Sequence, residues 1–471
     1  MRIEEFIKKV QNKEIDPLEH THKVLTEIKR INKEYNYLNT ISEDLALQQA
    51  KAVKKNPNGK LAGLPISVKD SICVKDVEST AGSKILKGYF PIKNATAVEN
   101  AIKEGAIIIG KTAQDEFGFG GFSTNVGIGF KIPLNPFDKT RATGGSSGGA
   151  AGLSQKISFP HIALGESTGG SIVNPASFCG VFGLSPTYGR VSRYGLIDYG
   201  NSLDKVGPIG KDIYSAALGL DVISGYDEKD STSLKQKQEN FLEYLKKDVK
   251  GMKIGILKEA FQEGINKKVE SKTRKAIEKI QSLGIKTEEV SLPISIKHGL
   301  SVYYLIATSE ASTNLAKFCG MRYGNYEKLE GNFEKYFTNV RSNNFGKEAK
   351  RRIILGTFAR MSGFRDAYYI KAAKVRTIII NEYKKAFNKF DAILSPTVPI
   401  LPPKIKDIEK LSILENYMID LLTVSPNLAG LPHLNIPIGF EEDLPVGLLL
   451  TADHLKEGKL IQIGKEFQNG I

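Results

Sequence analysis

Two glycine-serine clusters and one lysine are the residues best suited to chemistry. Gly144-Gly145-Ser146-Ser147-Gly148-Gly149 comes first, and Gly165-Glu166-Ser167-Thr168-Gly169-Gly170-Ser171-Ile172 follows after an apolar stretch. Glycines let successive backbone N–H groups converge, which is what an oxyanion requires. A serine nucleophile also needs a base. No histidine lies inside either cluster, and His161, the nearest along the chain, reads as a strand-end residue. The other ionisable candidate is Lys69, which closes Pro65-Ile66-Ser67-Val68-Lys69. A solvated lysine, with a pKa of about 10.4, is a poor base at neutral pH, and burial favours its neutral form. A serine-lysine arrangement is therefore chemically coherent. The plain alternatives are a surface lysine and structural glycine turns.

Other motifs compete. Gly105-Ala-Ile-Ile-Ile-Gly110-Lys111-Thr112 matches the phosphate-loop pattern GxxxxGK[ST]. Such a loop needs a turn-forming interior whose N–H groups cradle phosphate. An interior of Ala-Ile-Ile-Ile is a strand, so Lys111 is expected to serve structure and not a nucleotide. The first cluster matches GxSxG twice, the pattern of a nucleophile elbow. An elbow needs a strand directly before the serine, and Thr140-Arg141-Ala142-Thr143 is a poor one. It also needs a late histidine, for which His433 and His454 are available. Cys73, Cys179 and Cys319 form no CxxC pair, and His20 and His22 sit in a surface-type helix, so no metal site is expected.

The elements that must hold these residues follow from periodicity. Residues 1–55 read as helical, with Ile3, Phe6, Ile7 and Val10 at helical spacing. Asp16-Pro17-x-Glu19 supplies an N-cap, a first-turn proline and an acidic residue for a second helix. The strand ending at Lys69 places Ser67 and Lys69 on one face. Thr96-x-x-Glu99 predicts a capping box, and Gly105 a helix end before a buried strand from Ala106. Residues 140–200 hold 13 of the 45 glycines and few charges, which marks backbone packed tightly around a site. A helix-rich stretch spans 300–390, and strands return at 391–395, 435–439 and 446–451.

The chain has 471 residues, enough for a large core, and no apolar run long enough to span a membrane. Its net charge of +14 comes mostly from lysines scattered along the chain. They read as solvated faces, with help in attracting RNA as the alternative. Few, scattered cysteines and no secretory signal fit a cytoplasmic setting.

The chain resembles the amidase signature family. The resemblance rests on Gly63-Leu-Pro-Ile-Ser-Val-Lys69-Asp70, the 144–149 cluster, Thr168-Gly-Gly-Ser171-Ile, Pro175-Ala176, Phe178-Cys179-Gly180 and Gly183-Leu-Ser-Pro186-Thr187. Tyr188-Gly-Arg-Val-Ser-Arg-Tyr-Gly-Leu196, Phe345-Gly-Lys-Glu348, Lys350-Arg-Arg-Ile353 and Asn427-Leu-Ala-Gly-Leu-Pro432 are similar to one branch, the A subunits of tRNA-dependent aminoacyl-tRNA amidotransferases. The resemblance implies one α/β domain, a mixed central sheet flanked by helices. Residues 1–60 would be N-terminal helices packing on the core, and 61–471 one continuous unit with its signature core at about 61–240. It implies a triad of Lys69 as base, Ser146 as bridging serine and Ser171 as nucleophile. Backbone N–H groups of Thr168, Gly169, Gly170 and Ser171 would hold the oxyanion. Tyr303, Arg352 and Asp420 fall at the places of a glutamine head-group pocket. The implied partners are subunits B and C, with B using ATP, magnesium and the aminoacyl-tRNA; no cofactor, metal or membrane is implied for this chain. A free-standing broad-specificity amidase and a non-catalytic RNA-binding scaffold are the competing readings. The family has Gly-Ser-Asp-Thr before its Gly-Gly-Ser and Ile-Arg after it. Here Glu166-Ser167 and Val173 stand at those places, so a supporting Asp–Arg pair is absent and compensation is expected.

Overall fold

Eleven short stretches of alternating apolar residues pair into one mixed sheet. In chain order they are β1 (Leu38–Ile41), β2 (Pro65–Lys69), β3 (Ile107–Thr112), β4 (Ile162–Ser167), β5 (Phe182–Ser185), β6 (Lys205–Gly210), β7 (Lys253–Leu257), β8 (Lys286–Val290), β9 (Ala392–Pro396), β10 (His433–Glu441) and β11 (Leu444–Thr451). The structure, a computed structural model, describes residues 1–262 and 264–468; the last three positions of the 61–471 unit lie outside the described residues. The strand order is β1-β3-β2-β4-β6-β5-β10-β11-β9-β7-β8. The pairs β2/β3, β2/β4, β7/β8 and β7/β9 are parallel and the others antiparallel.

Both faces of the central strands are buried, while edge strand β8 exposes Lys286, Glu288 and Glu289, and the period of two shows which side chain goes where. Ile108, Leu164, Leu448 and Leu450 join the largest apolar cluster. Their neighbours Ile107 and Ile109, Ala163, and Leu449 enter separate clusters on the other side. Ile66 and Val68 belong to the large cluster, so Ser67 and Lys69 turn to the opposite face.

The N-terminal helices α1 (Ile3–Gln11), α2 (Pro17–Tyr35) and α3 (Glu43–Lys55) have the expected apolar stripes, and Asp16 caps α2 by accepting the N–H of Leu18 at 2.8 Å. The segment is not helical throughout, because β1 interrupts it and pairs antiparallel with β3 at the sheet edge. The capping box at Thr96 also fails. Helix α4 (Thr96–Lys103) starts there, but the Thr96 hydroxyl donates to Asp227 at 2.6 Å and Glu99 accepts from Asn94. A tertiary partner outcompetes the local cap. The phosphate-loop lookalike is β3 itself: Lys111 is buried, with Nζ 2.7 Å from Ser79 Oγ and 3.7 Å from Asp70 Oδ1. Helices α5 (Gly148–Lys156) and α6 (Val173–Phe178) each start directly after a serine cluster. The helix-rich stretch holds α9 (Pro293–Asn314), α10 (Phe333–Asn344), α11 (Lys347–Arg360) and α12 (Lys371–Phe387), preceded by α7 (Ile213–Ile223) and α8 (Lys267–Ser282). Among the described residues no helix is long and apolar enough to cross a membrane, and no cluster of three metal-type ligands occurs.

Candidate active site

Parallel strands expose their carboxyl ends side by side, the usual position of sites in open α/β sheets. β2 and β4 are such a pair, with Val68 opposite Leu164, so Lys69 and the 165–167 segment end at the same edge. Lys69 is fully buried there. Its Nζ lies 2.6 Å from Ser146 Oγ, 2.9 Å from the Glu166 carbonyl and 2.8 Å from Glu166 Oε2. Three acceptors match the three N–H donors of an ammonium. The lysine is buried together with the Glu166 carboxylate, so its charge is compensated inside the fold. In the sequence Glu166 stands out only as a departure from the family pattern, and its contact with Lys69 is the main feature of the site that sequence reasoning misses.

The two serine clusters meet. The N–H of Ser147 donates to the carbonyl of Ser171 at 3.2 Å, and Ser147 Oγ donates to the Glu166 carbonyl at 3.1 Å. The Gly145–Ser146 peptide is cis. A Cβ at Gly145 would collide with Asp115 Oδ2, and one at Gly170 with Thr423 Oγ1, so both positions require glycine for close approach. Asp115 accepts the N–H groups of Ser123 and Asn125 at 3.0 and 2.8 Å, while burial raises its carboxyl to about 6.

The oxyanion candidates sit in a fixed loop. The carbonyl of Thr168 accepts from Asn427 Nδ2, that of Gly169 from Ser167 Oγ at 3.2 Å, and that of Gly170 from the Asn174 N–H at 2.8 Å. A planar trans peptide points its N–H opposite its carbonyl. The three fixed planes therefore orient the N–H groups of Gly169, Gly170 and Ser171. Thr168 contributes its side chain elsewhere. Its Oγ1 is 2.9 Å from Glu166 Oε1 and 2.8 Å from Asp204 Oδ1. A hydroxyl carries one proton, so one carboxyl must supply the second. Asp204 is that group, because burial and the neighbouring Glu166 charge hold its carboxyl far above the usual range.

Of the head-group candidates, Arg352 lines a cavity of about 270 Å³, with Gly121, Tyr304, Glu348, Arg351 and Tyr417; Tyr303 and Asp420 lie outside its lining. Arg352 is buried. Its Nε donates to Glu348 Oε1 at 2.9 Å and Nη1 to the Tyr199 hydroxyl at 2.5 Å. Phe119, Tyr199, Tyr304 and Tyr417 surround the guanidinium at 5.0 to 5.6 Å. Asp420 accepts from Asn174 Nδ2 at 2.7 Å and from the Tyr304 hydroxyl at 3.1 Å. The phenol on Asp420 is that of Tyr304. Tyr303 packs on the serine loop, where a Cβ at Gly169 would lie 3.0 Å from its hydroxyl. The path Gly170–Asn174–Asp420–Tyr304 joins the serine loop to this cavity.

Histidines take no part. His161 lies 3.0 Å from Ser67 Oγ and 3.3 Å from Ser154 Oγ, and burial lowers its imidazole to about 3. His433 and His454 bond the carbonyls of Leu431 and Ala429, so the elbow reading has no base. At the two departures, Ser167 caps the Gly169 carbonyl and Val173 is buried in an apolar cluster with Ala150, Ala151 and Ala176.

An eleven-stranded mixed sheet whose serine clusters and buried lysine converge at one edge defines an amidase, and the chain belongs to the amidase family: the family's model matches residues 19–461. Over nearly its whole length the chain is similar to proteins that share one name. It is 44% identical to the glutamyl-tRNA(Gln) amidotransferase A subunit of Thermoanaerobacter pseudethanolicus, covering 99% of this chain and 96% of the relative. It is 45% identical to that of Streptococcus sanguinis, covering 99% and 95%. The crystal structure of the Thermotoga maritima counterpart superposes with a TM-score of 0.82 at 34% identity, covering 98% of this chain and 93% of that one.

Proposed function

We propose that this chain is the glutamine-hydrolysing component of a tRNA-dependent amidotransferase. It would release ammonia that converts glutamyl-tRNA(Gln) to glutaminyl-tRNA(Gln), aspartyl-tRNA(Asn) to asparaginyl-tRNA(Asn), or both. The observation that carries this reading is the link from the serine loop through Asn174 to Asp420 and the Arg352 cavity. Glutamine presents an α-ammonium and an α-carboxylate, and a selective site needs one anion and one cation. A broad-specificity amidase has no use for a buried anion and a buried cation tied to its serine loop through Asn174 and Tyr304.

Ser171 Oγ attacks the side-chain amide carbon, passing its proton towards Ser146 and Lys69. The fixed N–H groups of Gly169, Gly170 and Ser171 receive the developing oxyanion. The C–N bond breaks, the leaving nitrogen takes a proton back, and ammonia departs. Water then resolves the glutamyl ester by the same route. Subunits B and C are the partners of this reading, with ATP, magnesium and aminoacyl-tRNA used by B in the same compartment, the cytoplasm. Ile354, Leu355, Phe358 and Met361 expose apolar surface on and just after α11, which suits a partner interface.

The test is glutaminase turnover in the assembled complex. Ser171→Ala should abolish ammonia release, and Lys69→Ala should lower kcat by about 10²–10⁴-fold, the range for a lost general base. Both variants should still amidate with free ammonia. Near wild-type turnover by Lys69→Ala would overturn the mechanism.

A further inference from the structure

We infer that Glu166 is the terminal proton acceptor of this site, acting through Lys69 as a positioning residue that also stores the proton. The inference rests on the glutaminase reading above and goes beyond it. The geometry sets the problem. All three N–H donors of the Lys69 ammonium are used, on Ser146 Oγ, the Glu166 carbonyl and Glu166 Oε2. An ammonium has no lone pair and cannot receive a proton from Ser146 unless it first gives one away. The group in place to take it is Glu166 Oε2, 2.8 Å from Nζ and buried with it. Lys69 first gives one proton to Glu166 Oε2, and the amine turns its lone pair to Ser146; as Ser171 Oγ bonds the amide carbon, its proton passes to Ser146 Oγ and the Ser146 proton to Lys69 Nζ. Lysine is again an ammonium, Glu166 becomes a neutral carboxyl, and the negative charge resides on the substrate oxygen. When the C–N bond breaks, the same protons return and the leaving nitrogen departs as ammonia.

The surroundings keep Glu166 an acceptor at rest. From the loop before β6, the Asp204 carboxyl hydrogen-bonds Thr168 Oγ1, and Thr168 donates to Glu166 Oε1. From the segment after β3, Asp115 is held by the N–H groups of Ser123 and Asn125. From β6, Lys205 directs its ammonium away, to the Leu431 carbonyl at 2.9 Å. Lys69 is thus the cation in contact with Glu166.

The test is the pH dependence of kcat for glutamine hydrolysis by the assembled complex, with Glu166→Gln and Glu166→Ser beside wild type. kcat is the right quantity because it reports groups in the substrate complex. If Glu166 accepts the proton, wild-type turnover does not require a neutral Lys69 at rest. Either variant must then deprotonate Lys69 itself, so the acidic limb moves to alkaline pH and kcat at neutral pH falls about 10²–10⁴-fold, with the loss shrinking as pH rises. If Glu166 is only a counter-ion, removing its charge eases deprotonation of Lys69, and the limb moves to acid pH. An acid shift in either variant, or an unmoved limb in both, overturns the inference and leaves the glutaminase reading standing. Absence of glutamine hydrolysis by wild type would instead remove the glutaminase reading, and this one with it.

Discussion

Asp420 gives glutamine binding a titration whose sign follows from the burial of its carboxyl. Burial raises its carboxyl to about 6, against the opposing pull of the Tyr304 hydrogen bond, the Arg352 charge and the Asn174 amide. A carboxyl raised in this way is an anion above that pH and neutral below it. Only the anion can pair with the ammonium of glutamine. The KM for glutamine should therefore be flat above pH 7 and rise as pH falls through 6, by about tenfold at pH 5, because each unit below the midpoint cuts the ionised fraction about tenfold. Asp420→Asn keeps the size and one acceptor and removes the charge. Losing a hydrogen bond to a charged group costs about 1.5–3 kcal/mol, so its KM at pH 7.5 should rise about 10- to 100-fold. That raised KM should no longer change between pH 5 and 8. The assay is steady-state ammonia release by the assembled complex, with kcat and KM extracted separately. A wild-type KM that stays flat to pH 5, or an Asp420→Asn variant showing the same rise, would refute the assignment.

Two further outcomes follow from buried cations. Arg352→Lys keeps the charge but loses the Nε bond to Glu348 and the planar contact with four rings, so the glutamine KM should rise about 10- to 100-fold while ammonia-supported amidation continues; an unchanged KM places the carboxylate elsewhere. Lys111→Ala leaves Asp70 buried without its cation, though Thr80 N–H, Gly82 N–H and Asn39 still donate to it. The loss should therefore fall at the low end of the range for a broken buried pair, about 3 kcal/mol in a denaturation midpoint, and calorimetry should show no ATP binding to this chain before or after the change.

What the sequence shows and what it hides divide by distance along the chain. β2 is legible because Ile66 and Val68 alternate with Ser67 and Lys69, and alternation is local. The serine loops are legible because glycines that approach Asp115 or Thr423 tolerate no side chain, which concentrates glycine in the sequence. The Thr96 cap fails because its hydroxyl partner, Asp227, lies 131 residues on. β1 is hidden because four residues between two helices carry too short a pattern to read. The contact of Tyr304 with Asp420 is hidden because the two lie 116 residues apart, and only the packing of α9 brings them together. Glu166 is visible as a departure, but its meaning lies 97 residues away at Lys69.

The pocket and the base solve the same electrostatic problem in different ways. A buried cation must be compensated before substrate arrives. Arg352 has Glu348 at 2.9 Å and four aromatic faces, so its guanidinium is oriented in advance and needs no rearrangement to meet a carboxylate. Lys69 has Glu166 at 2.8 Å, which orients it equally well but takes away its ability to act as a simple base. For the arginine the counter-ion is therefore support only. For the lysine it must also take a chemical part, because a serine nucleophile cannot be activated by an ammonium that has nowhere to send its proton.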